Sequence, residues 1–190
     1  MIVECASDGW ANQWAPILFK FHILGWALLV LYLAAMRASW RRIYQETSSI
    51  RPDRSTSTFW LIVLALLAIL FINRLFNLQA LATIAVRCAA EAEGWYQMRR
   101  PLQVLVIGAA AIVAALILAL AFLRRKALDE RLVLAGLVAL VAFVAVRSLS
   151  FHWVDIYLRL KIFGLNFNGL TEAAALLPVY LGTVRGLRRY

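Results

Sequence analysis

Residues 59–79 read FWLIVLALLAILFINRLFNLQ, an apolar stretch that decides the class of this protein. A helix rises about 1.5 Å per residue, so about 20 residues cross the hydrocarbon core of a bilayer. The stretch reaches that length with a single charged residue, Arg74. We therefore predict that residues 59–79 form a membrane-spanning helix.

Four other stretches of comparable length and hydropathy predict further spans. They are residues 15–36, 103–123, 132–151 and 162–184. Good helix formers continue the 59–79 span to residue 93, and Gly94 is expected to end that helix. Such a helix exceeds the bilayer, so its end projects into water, bends near Arg74 or lies along the interface. The sequence thus predicts an all-α integral membrane protein, a single transmembrane domain of five helices over residues 1–190.

Composition excludes several other classes of protein. The chain is 64% hydrophobic and only 16% charged, with a mean hydropathy of +0.78, whereas about half of a soluble domain is apolar. A net charge of +10 would suggest a nucleic-acid partner in a soluble chain, but here the basic residues flank apolar stretches. We therefore expect a lipid bilayer, and no nucleic acid, as the partner of this chain.

The distribution of Lys and Arg predicts the orientation in the membrane. Most of these residues follow the first and third predicted spans or lie in the C-terminal tail. Positively charged segments stay in the cytoplasm, which predicts an outer N-terminus and a cytoplasmic C-terminus. The compact chain fits a bacterial inner membrane.

Polar residues inside the predicted spans are candidates for function. They are Arg74, Asn77 and Glu172. A membrane-embedded arginine costs at least a few kcal/mol unless it finds a partner or reaches the interface, and an embedded carboxyl group is paired or neutral. Arg74 or Arg147 could pair with Glu172. That pair would either hold the bundle together or form part of a proton or ligand path.

Basic and aromatic residues on the outer side form a candidate anion-binding or ligand-binding site, because guanidinium groups bind phosphate and carboxylate bidentately. These residues are Arg87, Tyr96, Arg99, Arg100, Arg147 and Trp153. On a continued helix, His152 and Asp155 would share a face with Ser148 and are the candidates for proton transfer. The alternatives are an aromatic belt that anchors lipid phosphates and a structural pairing network, since neighbours along one helix do not converge as a catalytic triad does.

Cysteine and histidine allow two further predictions. Cys5 and Cys88 share the outer side, where an oxidising compartment would permit a disulfide between them. His22 and His152 come from different predicted helices in the outer half and could ligate a haem iron. With two cysteines and two histidines, the chain offers little else for a metal.

Alanines at four-residue intervals indicate faces suited to close helix packing. They are Ala111, Ala115 and Ala119 in the third span and Ala135 and Ala139 in the fourth. Because no catalytic signature accompanies them, we expect an accessory or structural subunit of a larger membrane assembly, or a homo-oligomer. One alternative is a binding protein or enzyme for an amphiphile with an anionic head group, such as a lipid or a quinone-like molecule, at the outer face. A further alternative is an electron-transfer subunit with bis-histidine haem.

Overall fold

The computed structural model describes residues 5, 23–48, 54–76, 78–92, 94, 99–124, 127–148, 161–162 and 165–187. Apart from two strands of two residues each, the elements in this part of the chain are α-helices, which confirms the predicted helical class. The elements are α1 (Ile23–Thr47), α2 (Arg54–Phe76), α3 (Leu78–Ala92), α4 (Arg99–Arg124), α5 (Leu128–Ser148), β1 (Lys161–Ile162), β2 (Leu165–Asn166) and α6 (Phe167–Leu187).

Two of the described helices, α1 and α2, are long and apolar enough to cross a membrane. They correspond to the first two predicted spans. In α4, a shorter apolar segment covers Ile112–Arg124. In α6, Asn168, Glu172 and Pro178 interrupt the apolar sequence and lower its hydropathy.

Several predicted boundaries differ from those of the structure. The first helix continues to Thr47 instead of ending near residue 36. The helix expected over 59–93, for which a bend near Arg74 was one predicted outcome, is divided between Phe76 and Leu78 into α2 and α3. The two helices have different attachments, because α2 packs along α1, whereas α3 makes only limited contact with α2 and α4. Gly94 follows the end of α3 with a φ of 77°, the left-handed region that glycine adopts readily after a helix.

The last helix begins at Phe167, not at residue 162 as predicted. The residues before it form an antiparallel pair of strands in which Lys161 lies opposite Asn166. This pairing satisfies backbone polar groups that would otherwise need the first turn of a longer helix.

The core of the bundle lies around α1, α5 and α6. α6 packs against both α1 and α5, α2 packs on α1, and α4 packs on α5. Packed neighbours therefore follow one another around the bundle in the order α2, α1, α6, α5, α4, and a groove lined by α2 and α4 separates the first and last of them. Side chains that are fully buried in this core include Tyr32, Trp60, Leu67, Leu137, Leu140, Leu176 and Val179.

Glycine brings α5 and α6 into direct backbone contact. A Cβ atom at Gly136 would lie 2.7 Å from the carbonyl oxygen of Ala175, and one at Gly182 would lie 2.5 Å from that of Asp129. The alanine face predicted on α5 does not make this contact, because Ala135 and Ala139 are exposed. On α4, Ala119 is exposed, and the side chains of Ala111 and Ala115 lie outside the described part. The requirement for the smallest possible side chain explains why glycine, and not alanine, occupies the contact.

One end of the bundle collects the helix termini that carry most of the basic residues. The C-termini of α1, α4 and α6 and the N-termini of α2 and α5 meet there, as contacts of Arg42 with Asp129 and Trp60 and the close approach of Gly182 to Asp129 show. We call this end of the bundle the basic end.

Candidate functional site: a polar cluster shared by three helices

Three helices bring Tyr32, Arg74 and Glu172 together inside the bundle. Glu172 Oε1 accepts a hydrogen bond of 3.1 Å from Tyr32 Oη, and Glu172 Oε2 accepts one of 2.6 Å from Arg74 Nη1. Tyr32 comes from α1, Arg74 from α2 and Glu172 from α6. We call this group the three-helix polar cluster.

The cluster is almost closed to the surroundings. The side chain of Glu172 is 6% exposed and that of Arg74 is 14% exposed, while Tyr32 is 1% exposed. A buried charge is tolerated only with a partner of opposite sign and satisfied hydrogen bonds. Each carboxylate oxygen of Glu172 already accepts a bond from this chain. The arrangement therefore fixes three helices relative to one another.

The spacing of residues along each helix explains why these side chains meet. In α2, Arg74 follows Val63, Leu67 and Leu70 at intervals of four, three and four residues, so it continues the buried face of that helix. In α6, Glu172 precedes Ala175, Leu176 and Val179 on the buried face. Both charged residues are thus placed in the interior by the same periodicity that buries the apolar ones.

Tyr32 is a member of the cluster that sequence analysis missed. It lies on the buried face of α1 between Leu28 and Ala35, and its ring packs edge-on against Phe71 with centroids 6.4 Å apart. The available signal was its spacing of four and three residues from these apolar neighbours. That spacing indicates burial, and a buried tyrosine hydroxyl usually has a hydrogen-bond partner.

A second buried ion pair lies at the basic end. Arg42 Nη2 lies 3.3 Å from Asp129 Oδ2, and the two side chains are 4% and 5% exposed. The guanidinium carbon of Arg42 also lies 4.9 Å from the ring centroid of Trp60, a cation–π geometry. In the sequence, Arg42 is one of the basic residues that follow the first predicted span and predict its orientation. In the structure it joins α1, α2 and α5 through charge and aromatic contact.

Two of the predicted contacts occur in the structure, one an ion pair and the other a disulfide. Of the two arginines considered as partners for Glu172, Arg74 makes the ion pair. Cys5 and Cys88 form a disulfide with Cα atoms 6.2 Å apart, which ties the N-terminal segment to α3.

The other predicted site residues are only partly described. Among the candidate anion ligands, Arg87 lies in α3, Arg99 and Arg100 in the first turn of α4, and Arg147 near the end of α5, with side chains outside the described part. Since α4 and α5 are antiparallel neighbours, the last three residues lie at one end of the bundle. The remaining candidates lie outside the described residues, namely Asn77, Tyr96, Trp153, His152, Asp155 and His22.

No group of three or more His, Cys, Asp or Glu side chains that could hold a metal occurs among the residues that the structure describes. Both predicted haem ligands, His22 and His152, fall outside that part of the chain. Comparison with known protein families, curated proteins and solved structures finds no match. Arguments about function therefore rest on the geometry of this chain.

Proposed function

We propose that this chain is a multi-pass protein of a bacterial inner membrane and serves as a structural or accessory subunit of a larger membrane assembly. Its N-terminus lies outside and its C-terminus lies in the cytoplasm. The arrangement of polar and apolar side chains supports the membrane placement, and the distribution of charge and cysteine supports the orientation.

Large apolar side chains face outward on several helices, which favours a lipid environment. Examples that are at least half exposed are Trp26, Val30, Leu33, Leu61, Ile69, Ile112, Leu116 and Leu120. Water-soluble monomers rarely expose contiguous apolar surface on this scale. Inside the bundle, by contrast, two buried ion pairs, Arg42–Asp129 and Arg74–Glu172, place opposite charges against each other.

Two separate features support the proposed orientation. Most Lys and Arg residues of the sequence flank the helix termini of the basic end, as expected for the cytoplasmic side, and the arginines there that the structure describes as exposed are Arg37, Arg41, Arg54, Arg124 and Arg185. Disulfides persist in oxidising compartments and are rare in the cytosol, so the Cys5–Cys88 disulfide favours an outer location for the N-terminal segment and α3.

The main support for a subunit role is the exposed alanine face of α5. Ala135, Ala139 and Ala142 follow one another at intervals of four and three residues and are all exposed. They lie on the side of α5 opposite the core-facing residues, and none of the helices that the structure describes packs against them. Small residues on such a face permit close approach of a helix from another subunit. Occupation of both Glu172 oxygens by residues of this chain also favours a structural role for the polar cluster.

A matched pair of variants tests the subunit role. Ala135→Leu/Ala139→Leu fills the exposed face of α5, and Ala65→Leu makes the same change at an exposed position of α2. Native mass spectrometry on protein extracted gently from its own membrane should find additional subunits, or a second copy, with the wild type and with Ala65→Leu. The double variant should lose them while it unfolds at the same temperature as the wild type.

Two results would contradict the subunit role. One is a wild-type protomer that never carries another subunit, and the other is an assembly that the double variant leaves intact. A lone protomer that retains a defined small molecule would favour the amphiphile-binding alternative. Resistance of the chain to extraction from membranes by alkaline carbonate tests the membrane placement separately, and reporter fusions at the two termini test the orientation.

A further inference from the structure

Acidic and basic side chains are separated in depth at the basic end. Glu46, Asp129 and Glu130 are buried there. The exposed charged side chains at this end include Arg37, Arg41, Arg54, Arg124 and Arg185. Because these three acids are buried, the part of this outer surface that the structure describes carries mainly positive charge. Such a surface attracts anionic head groups in an adjacent lipid leaflet.

A groove of about 480 Å³ opens at the same end between the N-terminal part of α2 and the C-terminal part of α4. It is lined by Arg54, Ser55, Thr58, Phe59, Ile62 and Ala121. The first three residues carry a guanidinium group and two hydroxyl groups, and the last three are apolar. The lining therefore changes from polar to apolar across a single groove.

The positions of these residues along the helices order the two parts of the groove. Arg54 begins α2, and Phe59 lies five residues further into the bundle, a rise of about 7.5 Å. On α4, Ala121 lies one turn before the exposed Arg124, which ends that helix. Arg54 therefore lies at the mouth of the groove, and Arg124 lies about one turn beyond Ala121 towards the same end. Phe59, Ile62 and Ala121 lie further along the helices, away from the basic end, and Ile62 is 55% exposed.

We propose that this groove binds one anionic phospholipid of the cytoplasmic leaflet. The lipid phosphate lies at the mouth, where Arg54 and Arg124 supply positive charge, and the first part of an acyl chain lies against Phe59, Ile62 and Ala121. The exposed rings of Trp40 and Tyr44 at the same end suit the level of the membrane interface. This inference rests on the membrane placement proposed above but does not depend on the subunit role.

Matched charge variants test the lipid site. The purified full chain in neutral detergent is titrated with phosphatidylglycerol or phosphatidylcholine, and lipid-bound species are counted by native mass spectrometry. Arg54→Gln/Arg124→Gln removes both charges at the mouth of the groove. Arg37→Gln/Arg41→Gln removes two exposed charges from the same end of the bundle but on α1. Ala121→Leu leaves the charge unchanged and narrows the apolar part.

The wild type should bind phosphatidylglycerol in preference to phosphatidylcholine. Loss of the two mouth charges should weaken that binding by about thirtyfold, because each of the two arginines contributes about fivefold to the attraction of an anionic lipid. The α1 double variant should bind within about threefold of the wild type. Ala121→Leu should also weaken binding, at an unchanged unfolding temperature.

Equal losses in the two double variants would show that only the general charge of this end matters and would overturn the proposal. Equal binding of the two lipids would do the same. Displacement of the lipid by inorganic phosphate alone would overturn the acyl-chain contact. The membrane placement is read from carbonate extraction, so its failure is distinguishable from failure of the lipid site.

Discussion

The ion pair between Arg74 and Glu172 should make a large contribution to the stability of the bundle. Glu172→Gln preserves the shape of the side chain but removes the negative charge that faces the guanidinium group of Arg74. Two unit charges 2.6 Å apart attract each other by about 6 kcal/mol at an effective dielectric constant of about 20. Because Arg74 is 14% exposed, interaction of its guanidinium group with the surroundings offsets part of the attraction that the variant loses. We expect the free energy of unfolding to fall by about 3–5 kcal/mol.

The double variant Arg74→Gln/Glu172→Gln isolates the interaction. It removes both charges together, so it should be less destabilised than the sum of the two single changes, by about 2–3 kcal/mol. Arg185→Gln, an arginine exposed on α6, provides the control for loss of one positive charge and should change stability by less than about 0.5 kcal/mol.

Unfolding in mixed micelles of neutral detergent and increasing dodecyl sulfate, followed by tryptophan fluorescence, measures these differences. Additive effects of the two single changes, with a coupling below about 0.5 kcal/mol, would refute the reasoning, because the two charges would then contribute independently. Tyr32→Phe extends the test to the third member of the cluster. Loss of its hydrogen bond to the carboxylate should cost about 1.5–3 kcal/mol.

Three other expectations follow from separate contacts. Arg42→Gln should destabilise the bundle by about 3 kcal/mol because it leaves Asp129 buried without its ion-pair partner, whereas Arg41→Gln should be neutral in the same unfolding measurement. Gly136→Val should force α5 and α6 apart and lower the unfolding temperature, and normal stability of this variant would contradict the close packing. Thiol titration of the denatured, unreduced protein should find no reactive cysteine, and titration after reduction should find two; free thiols before reduction would exclude the disulfide.

The positions of the helices could be predicted from the sequence because long apolar stretches leave few other structures for the backbone. Their ends were harder to predict. For residues 59–93 the sequence left three outcomes open, namely a helix that projects into water, bends near Arg74 or ends along the interface. The structure divides the stretch between Phe76 and Leu78. The two helices also differ in packing, because α2 lies along α1, whereas α3 makes limited contact with α2 and α4. The strand pair before Phe167 was also hard to predict, because hydropathy does not distinguish residues that pair as strands from residues that begin a helix.

The candidate site was predictable only in part, because a single sequence does not show which residues of different helices lie at the same level in the bundle. The depth of Glu172 indicated that it needs a partner, but Arg74 and Arg147 were equally available on composition. Tyr32 and Asp129 carry no sign of their partners in the local sequence. Arg42 was harder still, because a basic residue after an apolar stretch is expected for topology alone. Only its spacing of ten residues from Tyr32 shows that both lie on the buried face of α1.

The disulfide between Cys5 and Cys88 closes a covalent ring of chain that contains all of α1 and α2. A protease that cuts once between these two helices, at the basic end, therefore opens the ring without releasing a fragment. The two pieces remain joined by the sulfur atoms at the opposite end of the helices until a reductant reaches them. The cleaved protein therefore stays in one covalent piece, with α1 joined through the disulfide to the piece that contains α2 and the rest of the chain.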